Sequence, residues 1–76
     1  MKINIIIFGQ LCEVLGEKLV MDNIADTESL QQELYKKFPA LVNYKYVMAV
    51  NKKQITSNTV LNEEAVVALL PPFSGG

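Results

Sequence analysis

Two short, strongly apolar segments near opposite ends of the sequence most restrict the folds open to it. They span residues 3–8 and residues 65–70, and they are closed by Gly9 and Pro71 respectively. Apolar runs of this length, bounded by glycine or proline, predict β-strands. Because they are the most apolar strands of a 76-residue chain, we expect them to lie side by side at the centre of one small sheet.

The first strand also predicts a surface that another molecule covers. Side chains alternate across a strand, so Ile3, Ile5 and Ile7 share one face, which we assign to the core. Phe8 then lies on the opposite face. A large aromatic side chain off the core face suggests a contact with a partner.

One long helix is predicted in the middle of the chain. Asp26 or Thr27 can cap its N-terminus, and Leu30, Leu34 and Phe38 recur at the spacing of one helical face. The proline that follows ends the helix, because it disfavours helical geometry at the residue before it.

The remaining elements are short. We predict a helical turn or two at 10–15, strands at 17–23 and 46–50, a loop at 40–45, an edge strand at 54–56, and a polar connection at 57–64 that turns Val60 and Leu61 inward. This order predicts an α+β fold of the β-grasp type, a mixed sheet with one main helix packed on one face. Residues 1–70 would form the domain and residues 71–76 an extended tail.

Composition and charge exclude several kinds of partner. Half of the residues are hydrophobic, the formal net charge is −1, and all seven basic residues are lysines. Without arginine the chain lacks the planar guanidinium that commonly reads phosphates and guanine edges, so we expect no nucleic-acid partner. No apolar stretch approaches the ~20 residues of a membrane span, and the start lacks a signal-peptide cleavage site. We therefore expect a cytoplasmic protein that contacts no membrane.

The side chains provide no self-contained catalytic or metal site. The sequence has no histidine, one cysteine and no glycine-rich loop between a strand and a helix. Cys12 has Glu13 beside it and no basic neighbour that would favour a thiolate, so we interpret it as a packing residue. We expect this chain to bind no metal and no cofactor.

The last six residues carry the remaining chemical group. Pro71 and Pro72 favour an extended stalk that projects from the domain. Gly75 and Gly76 have no Cβ, so they can thread a passage too narrow for any side chain. The Gly76 carboxylate becomes the candidate reactive group, and as a poor electrophile it needs activation by another protein. An ordinary frayed terminus is the alternative interpretation.

Three segments together resemble a known family. They are residues 7–13 (Ile-Phe-Gly-Gln-Leu-Cys-Glu), residues 49–51 (Ala-Val-Asn) and residues 69–76 (Leu-Leu-Pro-Pro-Phe-Ser-Gly-Gly). Over essentially its whole length the chain is similar to the small, sulfur-carrier subunits of molybdopterin synthase, which are ubiquitin-like β-grasp proteins. A final glycine pair alone is shared by many ubiquitin-like proteins, whereas the Pro-Pro-x-x-Gly-Gly ending on an apolar strand is more specific.

The resemblance implies a mechanism and a set of partners. An E1-like adenylating enzyme would use ATP to activate the Gly76 carboxylate, and a sulfur donor protein would convert it to a thiocarboxylate. The loaded tail would enter the large subunit of the synthase and deliver sulfur to cyclic pyranopterin monophosphate, which builds the dithiolene of molybdopterin. The assembly would be a heterotetramer of two large and two small subunits, in which this chain is a non-catalytic sulfur donor.

Residue roles follow from the same resemblance. Gly76 would bear the sulfur, the tail residues Gly75, Ser74 and Phe73 would insert into the large subunit, and the partner interface would comprise Phe8, Leu70, Pro71 and Pro72. Two departures stand out. Cys12 occupies a position where many members carry arginine, so we expect one polar contact to a partner to be missing, and the turn at 62–64 lacks the family's frequent glycine.

Two other functions remain open at this point. One keeps the tail chemistry and changes the recipient, which makes the chain a sulfur carrier for thiamine thiazole or for tRNA thiolation; the Pro-Pro stalk argues against this. The other is a ubiquitin-like binding module whose tail is never activated.

Overall fold

A computed structural model describes residues 2–72 of the chain. Its elements, in order, are β1 (Lys2–Ile7), a 3-10 turn (Gly9–Leu11), α1 (Cys12–Leu15), β2 (Lys18–Asp22), α2 (Thr27–Lys37), a 3-10 helix (Pro39–Asn43), β3 (Val47–Val50), β4 (Lys53–Ile55) and β5 (Val66–Leu70). Apart from the 3-10 helix at Pro39–Asn43, this succession of strands and helices confirms the predicted one. The predicted division into residues 1–70 and a tail at 71–76 stays a prediction, because residues 73–76 lie outside the described part.

The strands form one mixed sheet in the order β2-β1-β5-β3-β4. β1 and β5 run parallel, and the other neighbouring pairs are antiparallel. The prediction that the first and last strands lie side by side is therefore confirmed. β5 is the middle strand, so the chain leaves the sheet from its best-supported position.

The core lies between the sheet and α2, on the face predicted from the alternation in β1. Ile3, Ile5 and Ile7 are buried, as are Leu30 and Leu34 on α2. Full burial of a side chain of this size stabilises the fold by about 1.5–3 kcal/mol relative to exposure. This row of contacts holds the helix against the sheet.

The N-terminus of α2 is fixed by polar side chains from two parts of the chain. The Asp26 carboxylate accepts a hydrogen bond from the Ser29 backbone N–H at 2.9 Å, which makes Asp26 the cap. The Asn58 side chain donates to the other oxygen of Asp26 at 3.3 Å, and its own Oδ1 accepts from the Glu28 N–H at 2.9 Å. The loop before β5 is thereby tied to the start of the helix.

The C-terminus of α2 ends as predicted, but the following segment differs from the predicted loop. Phe38, the residue before Pro39, has non-helical backbone angles and closes α2. A 3-10 helix then runs over Pro39–Asn43, and the Leu41 N–H donates to the Phe38 carbonyl at 2.9 Å. The fixed φ of proline suits the first position of a helix, and burial of Leu41 holds this turn against the core.

The prediction that Val60 and Leu61 both point inward is wrong for Val60. Leu61 is buried, whereas Val60 is 71% exposed. Val60 forms an isolated antiparallel bridge with Asp26, so the backbone here is extended and consecutive side chains alternate sides. Only one of the two residues can therefore reach the core.

Candidate functional site

The sheet supports the chain on both sides at the point where β5 ends. Leu70 lies opposite Val47 of β3. On the other side, the Phe8 N–H donates to the Leu69 carbonyl at 3.0 Å, which extends the contact with the first strand beyond the end of β1. The residues that follow therefore start from a rigid position.

Gly9 leaves room for Pro71 at this exit. Gly9 has a φ of +68°, and a Cβ added to it would lie 3.1 Å from Cγ of Pro71. From the sequence, Gly9 was predicted to end the first strand. Its contact with Pro71 could not be predicted, because the two residues are distant in sequence and meet only in the folded chain.

A groove of about 530 Å³ borders the same exit. It lies between the turn after β1 and the segment after the second 3-10 helix, and its lining consists of Gly9, Gln10, Leu11, Asn43, Tyr44, Lys45, Pro71 and Pro72. This groove was not predicted from the sequence. Residues 9–11 and 43–45 are distant in sequence, and no local pattern shows that they meet.

The sheet face opposite α2 presents apolar side chains to the solvent. Phe8 is 45% exposed, which confirms its predicted placement off the core face, and Ile6 and Val66 are each more than a third exposed. Ala68, which pairs with Ile6, and Leu70 are partly buried. We call this surface, formed by Ile6, Phe8, Val20, Val66, Ala68 and Leu70, the open face.

The predicted site residues divide into two groups. Phe8, Leu70, Pro71 and Pro72 lie together at the end of the sheet where the tail begins, and both prolines are exposed. Phe73, Ser74, Gly75 and Gly76 lie outside the described residues. The roles assigned to both groups stay predictions.

Cys12 lies beside this region without forming a reactive site. Its thiol donates a hydrogen bond to the Ile7 carbonyl at 3.2 Å, and the side chain is partly buried against the core. This placement agrees with its interpretation as a packing residue.

A second polar cluster holds α2 to the beginning of β3, away from the tail. The Gln31 amide donates to the hydroxyls of Tyr35 and Tyr46 at 3.1 and 2.9 Å, and the two hydroxyls are 3.0 Å apart. Burial, together with the hydrogen bond to Tyr35, raises the pKa of Tyr46 to about 12. Tyr46 therefore stays protonated at neutral pH and acts as a structural hydrogen-bond partner.

The described part of the chain contains neither a metal cluster nor a helix suited to span a membrane. Across residues 2–72, no three His, Cys, Asp or Glu side chains lie close enough together to hold a metal ion. None of the helices in this range has the length and apolarity that a membrane crossing would require.

Comparisons with known proteins point to one family. The sequence profile of the ThiS family matches residues 5–76. The molybdopterin synthase sulfur carrier subunit of Arabidopsis thaliana is 29% identical over 80 residues, which cover 99% of this chain and 83% of the relative.

Solved structures of related proteins are also similar to this chain. A chain in the complex of subunits 1 and 2 of molybdopterin-converting factor from Helicobacter pylori 26695 is 26% identical, with a TM-score of 0.77 and full coverage of both chains. Small archaeal modifier protein 1 from Haloferax volcanii is 21% identical, with a TM-score of 0.79 over the whole of both chains. The same-named protein from Methanosarcina acetivorans is 21% identical, with a TM-score of 0.80 over 99% of this chain and 96% of that one.

These likenesses confirm two predictions made from the sequence. The archaeal proteins share the fold, which is the predicted ubiquitin-like β-grasp arrangement of a mixed sheet and one main helix. The resemblance to molybdopterin synthase sulfur carriers is confirmed by the plant relative and the Helicobacter pylori complex. Because the family profile covers all but the first four residues, the chain belongs to the ThiS family and is a homologue of the small subunit of molybdopterin synthase.

Proposed function

We propose that this chain is the sulfur-carrier subunit of a molybdopterin synthase, and that it carries sulfur as a thiocarboxylate on Gly76. The observation that carries the proposal is the likeness to a sulfur-carrier subunit over 99% of this chain, and the point at which residues 71 and 72 leave the sheet supports it. The middle strand of the sheet leads into Pro71 and Pro72, both exposed, so the tail starts from the most firmly held part of the fold.

The proposed chemistry takes place on the carboxyl group of Gly76. An E1-like enzyme joins this carboxylate to the AMP moiety of ATP and releases pyrophosphate. The mixed anhydride has a good leaving group, so sulfur at the oxidation level of sulfide, supplied by a donor protein, displaces AMP and leaves a thiocarboxylate. Its sulfur then bonds to cyclic pyranopterin monophosphate in the large subunit, and water cleaves the thioester between them, so the chain returns with a carboxylate.

In this proposal the described residues bind the large subunit and position the tail, while other proteins catalyse the reactions. Phe8 and Leu70 on the open face, with Pro71 and Pro72 at the exit, contact the large subunit. Phe73, Ser74 and Gly75 enter its active site behind the reacting group. A large-subunit partner is supported by the Helicobacter pylori structure, which is a complex of subunits 1 and 2 of molybdopterin-converting factor. The proposed assembly is a heterotetramer, and this chain binds no cofactor itself.

Intact-mass measurement tests the tail chemistry. The chain is incubated with ATP, an E1-like enzyme and a sulfur donor, and we expect a mass gain equal to the exchange of one oxygen atom for one sulfur atom. A variant without Gly76 serves as the control and is expected to keep its mass. An unchanged mass of the full chain, under conditions in which a known carrier is converted, would overturn the proposal and favour the ubiquitin-like binding module.

The recipient of the sulfur needs a separate test. The loaded chain is mixed with a large synthase subunit and cyclic pyranopterin monophosphate, and molybdopterin formation is measured. If sulfur is loaded but no pterin product forms, the recipient is a different one, and carriers for thiamine thiazole or tRNA thiolation become the better description.

A further inference from the structure

β2 forms one edge of the sheet and presents a regular row of backbone groups to the solvent. In β1, the N–H groups of Asn4 and Phe8 bond to the β5 side, whereas the N–H of Ile7 bonds to Glu17 on the β2 side. Asn4 lies opposite Val20. Since residues alternate between hydrogen-bonded and non-bonded pairs in an antiparallel ladder, the N–H and C=O of Val20 point away from β1.

The same alternation applies two residues to either side of Val20. Lys18 and Asp22 also direct their N–H and C=O groups outward, and all three side chains are exposed. Val20 is 59% exposed, which is high for a β-branched residue within a sheet. Within residues 2–72 no further strand pairs with the outer side of β2, because β2 is the last strand of the sheet on this side.

The sequence of β2 is complementary to itself when read in the opposite direction. In an antiparallel pair centred on Val20, Lys18 of one copy lies opposite Asp22 of the other, and Leu19 lies opposite Met21. The charges attract in both such pairs. In the described part of the chain, the one ion pair joins Lys36 to Glu33, so Lys18 and Asp22 are not engaged with each other or with other charges there.

We propose that β2 pairs with β2 of a second copy of this chain about a two-fold axis at Val20. In this register the outward-pointing backbone groups of Lys18, Val20 and Asp22 face Asp22, Val20 and Lys18 of the second copy. Each of these three pairs exchanges two hydrogen bonds. The two sheets join into one of ten strands, with the Val20 side chains in contact on the open face. An interface of one strand per copy is at the low end of interface sizes, so the association is weak and depends on concentration.

The opposite edge of the sheet does not offer the same match. β4 has three residues, and an antiparallel self-pairing centred on Gln54 would place Lys53 opposite Ile55. In that pairing Lys53 faces an apolar side chain, whereas in the β2 pairing Lys18 faces the Asp22 carboxylate. The charge pattern therefore selects β2 as the pairing edge.

Sedimentation velocity over a concentration series tests the pairing. We expect the unmodified full chain to shift from monomer to dimer as its concentration rises. In the dimer, residue 18 of each copy faces residue 22 of the other, so Lys18→Glu or Asp22→Lys creates two pairs of like charges. Each variant should therefore weaken self-association at least about tenfold. Lys53→Glu is the matched control, since it makes the same charge change on the other edge and should leave association unchanged.

Two combinations of these substitutions make the test specific to this register. An equimolar mixture of Lys18→Glu and Asp22→Lys chains restores both opposite-charge pairs and should form a heterodimer. The double variant Lys18→Glu/Asp22→Lys should regain the homodimer. A chain that stays monomeric at all concentrations would overturn the proposal, as would association that Lys18→Glu does not weaken or that the double variant does not regain.

A second measurement follows the backbone directly. The amide protons of Lys18, Val20 and Asp22 should exchange more slowly as the concentration rises, whereas those of Leu19 and Met21, which face β1, should change little. Equal changes at all five amides would contradict the pairing. Neither experiment involves Gly76 or a sulfur donor, so its outcome is independent of the proposed function.

Discussion

Substitution of Phe8 can show whether its side chain serves binding to a partner or stability of the fold. It is 45% exposed on the open face, next to the strand that leads into the tail. If the proposed interface is correct, Phe8→Ala should weaken binding to the large subunit about tenfold or more, because the burial it provides is largely intermolecular. The melting temperature of the isolated chain should change little.

Val60→Ala provides the control for that variant. Val60 is also an exposed apolar residue, but it pairs with Asp26 near the start of α2 and not with the open face. Calorimetric titration of both variants with the large subunit should show the loss of affinity only for Phe8→Ala. A large drop in the melting temperature of Phe8→Ala, with affinity retained, would contradict its place in the interface.

Gly9 can be tested against Gly16, a second glycine with a positive φ. Alanine is strained at both positions, and at Gly16 the φ of +84° and ψ of −175° fall in a region that is essentially restricted to glycine. At Gly16 an added Cβ meets nothing within 4 Å, whereas at Gly9 it meets Pro71. Both variants should therefore lose stability in urea titrations, but only Gly9→Ala should displace Pro71.

The rate of sulfur transfer can be compared in the same two variants. Displacement of Pro71 changes the direction in which the tail leaves, so Gly9→Ala should lower the rate of sulfur transfer in the proposed synthase beyond its effect on stability. Gly16→Ala should not. Equal transfer rates for the two variants, measured under conditions in which both are folded, would mean that Gly9 has no part in directing the tail.

At the scale of elements, the capped start of α2 gives the chain a predictable response to acid. Hydrogen bonds from the Ser29 side chain, the Ser29 backbone and the Asn58 amide hold the pKa of Asp26 below its usual value of 3.8. A carboxyl group whose pKa is lower in the folded state stabilises the fold fully above its unfolded pKa. That contribution is lost as the pH falls through the folded pKa.

Asp26→Asn separates this charge effect from capping. Asparagine caps a helix about as well as aspartate but does not titrate in this range, so its contribution should not depend on pH. The melting temperature of the unmodified chain, relative to that of Asp26→Asn, should be constant near neutral pH and should fall as the pH drops below 3.8 and through the folded pKa of Asp26. A constant difference over this range would show that Asp26 is not the titrating group.

The elements that the sequence predicted well are those with a complete local signal. Alternation identified the buried face of β1, and the helical spacing of Leu30 and Leu34 identified the buried face of α2. Asp26 was one of two predicted caps, and Pro39 ended the helix where expected. Each of these features depends on residues within one or two turns of each other.

The elements that were missed depend on contacts between distant segments. The 3-10 helix at Pro39–Asn43 is held by burial of Leu41, and the outward side chain of Val60 follows from its bridge to Asp26. The groove beside the tail joins residues 9–11 to residues 43–45. Hydrophobicity alone predicts that an apolar residue is buried, but it does not show which of two adjacent ones reaches the core.

At the scale of the whole molecule, the fold and the proposed reaction use separate parts of the chain. Among the described residues, the buried core extends from Ile3 to Leu69 and includes nothing beyond β5. Residues appended after Gly76 should therefore leave the melting temperature unchanged. The same extension removes the free carboxyl group, so it should abolish both the sulfur-for-oxygen mass change and molybdopterin formation.

A cleavable extension makes this comparison within one preparation. Before cleavage the chain should be folded and unable to accept sulfur, and after removal back to Gly76 it should accept sulfur at the normal rate, because the domain that presents the tail has not changed. Far-ultraviolet circular dichroism checks the fold at both stages. If an extension that is never trimmed still supported molybdoenzyme activity in cells, the sulfur could not be carried on the Gly76 carboxyl group, and the reacting atom would have to be sought elsewhere in the chain.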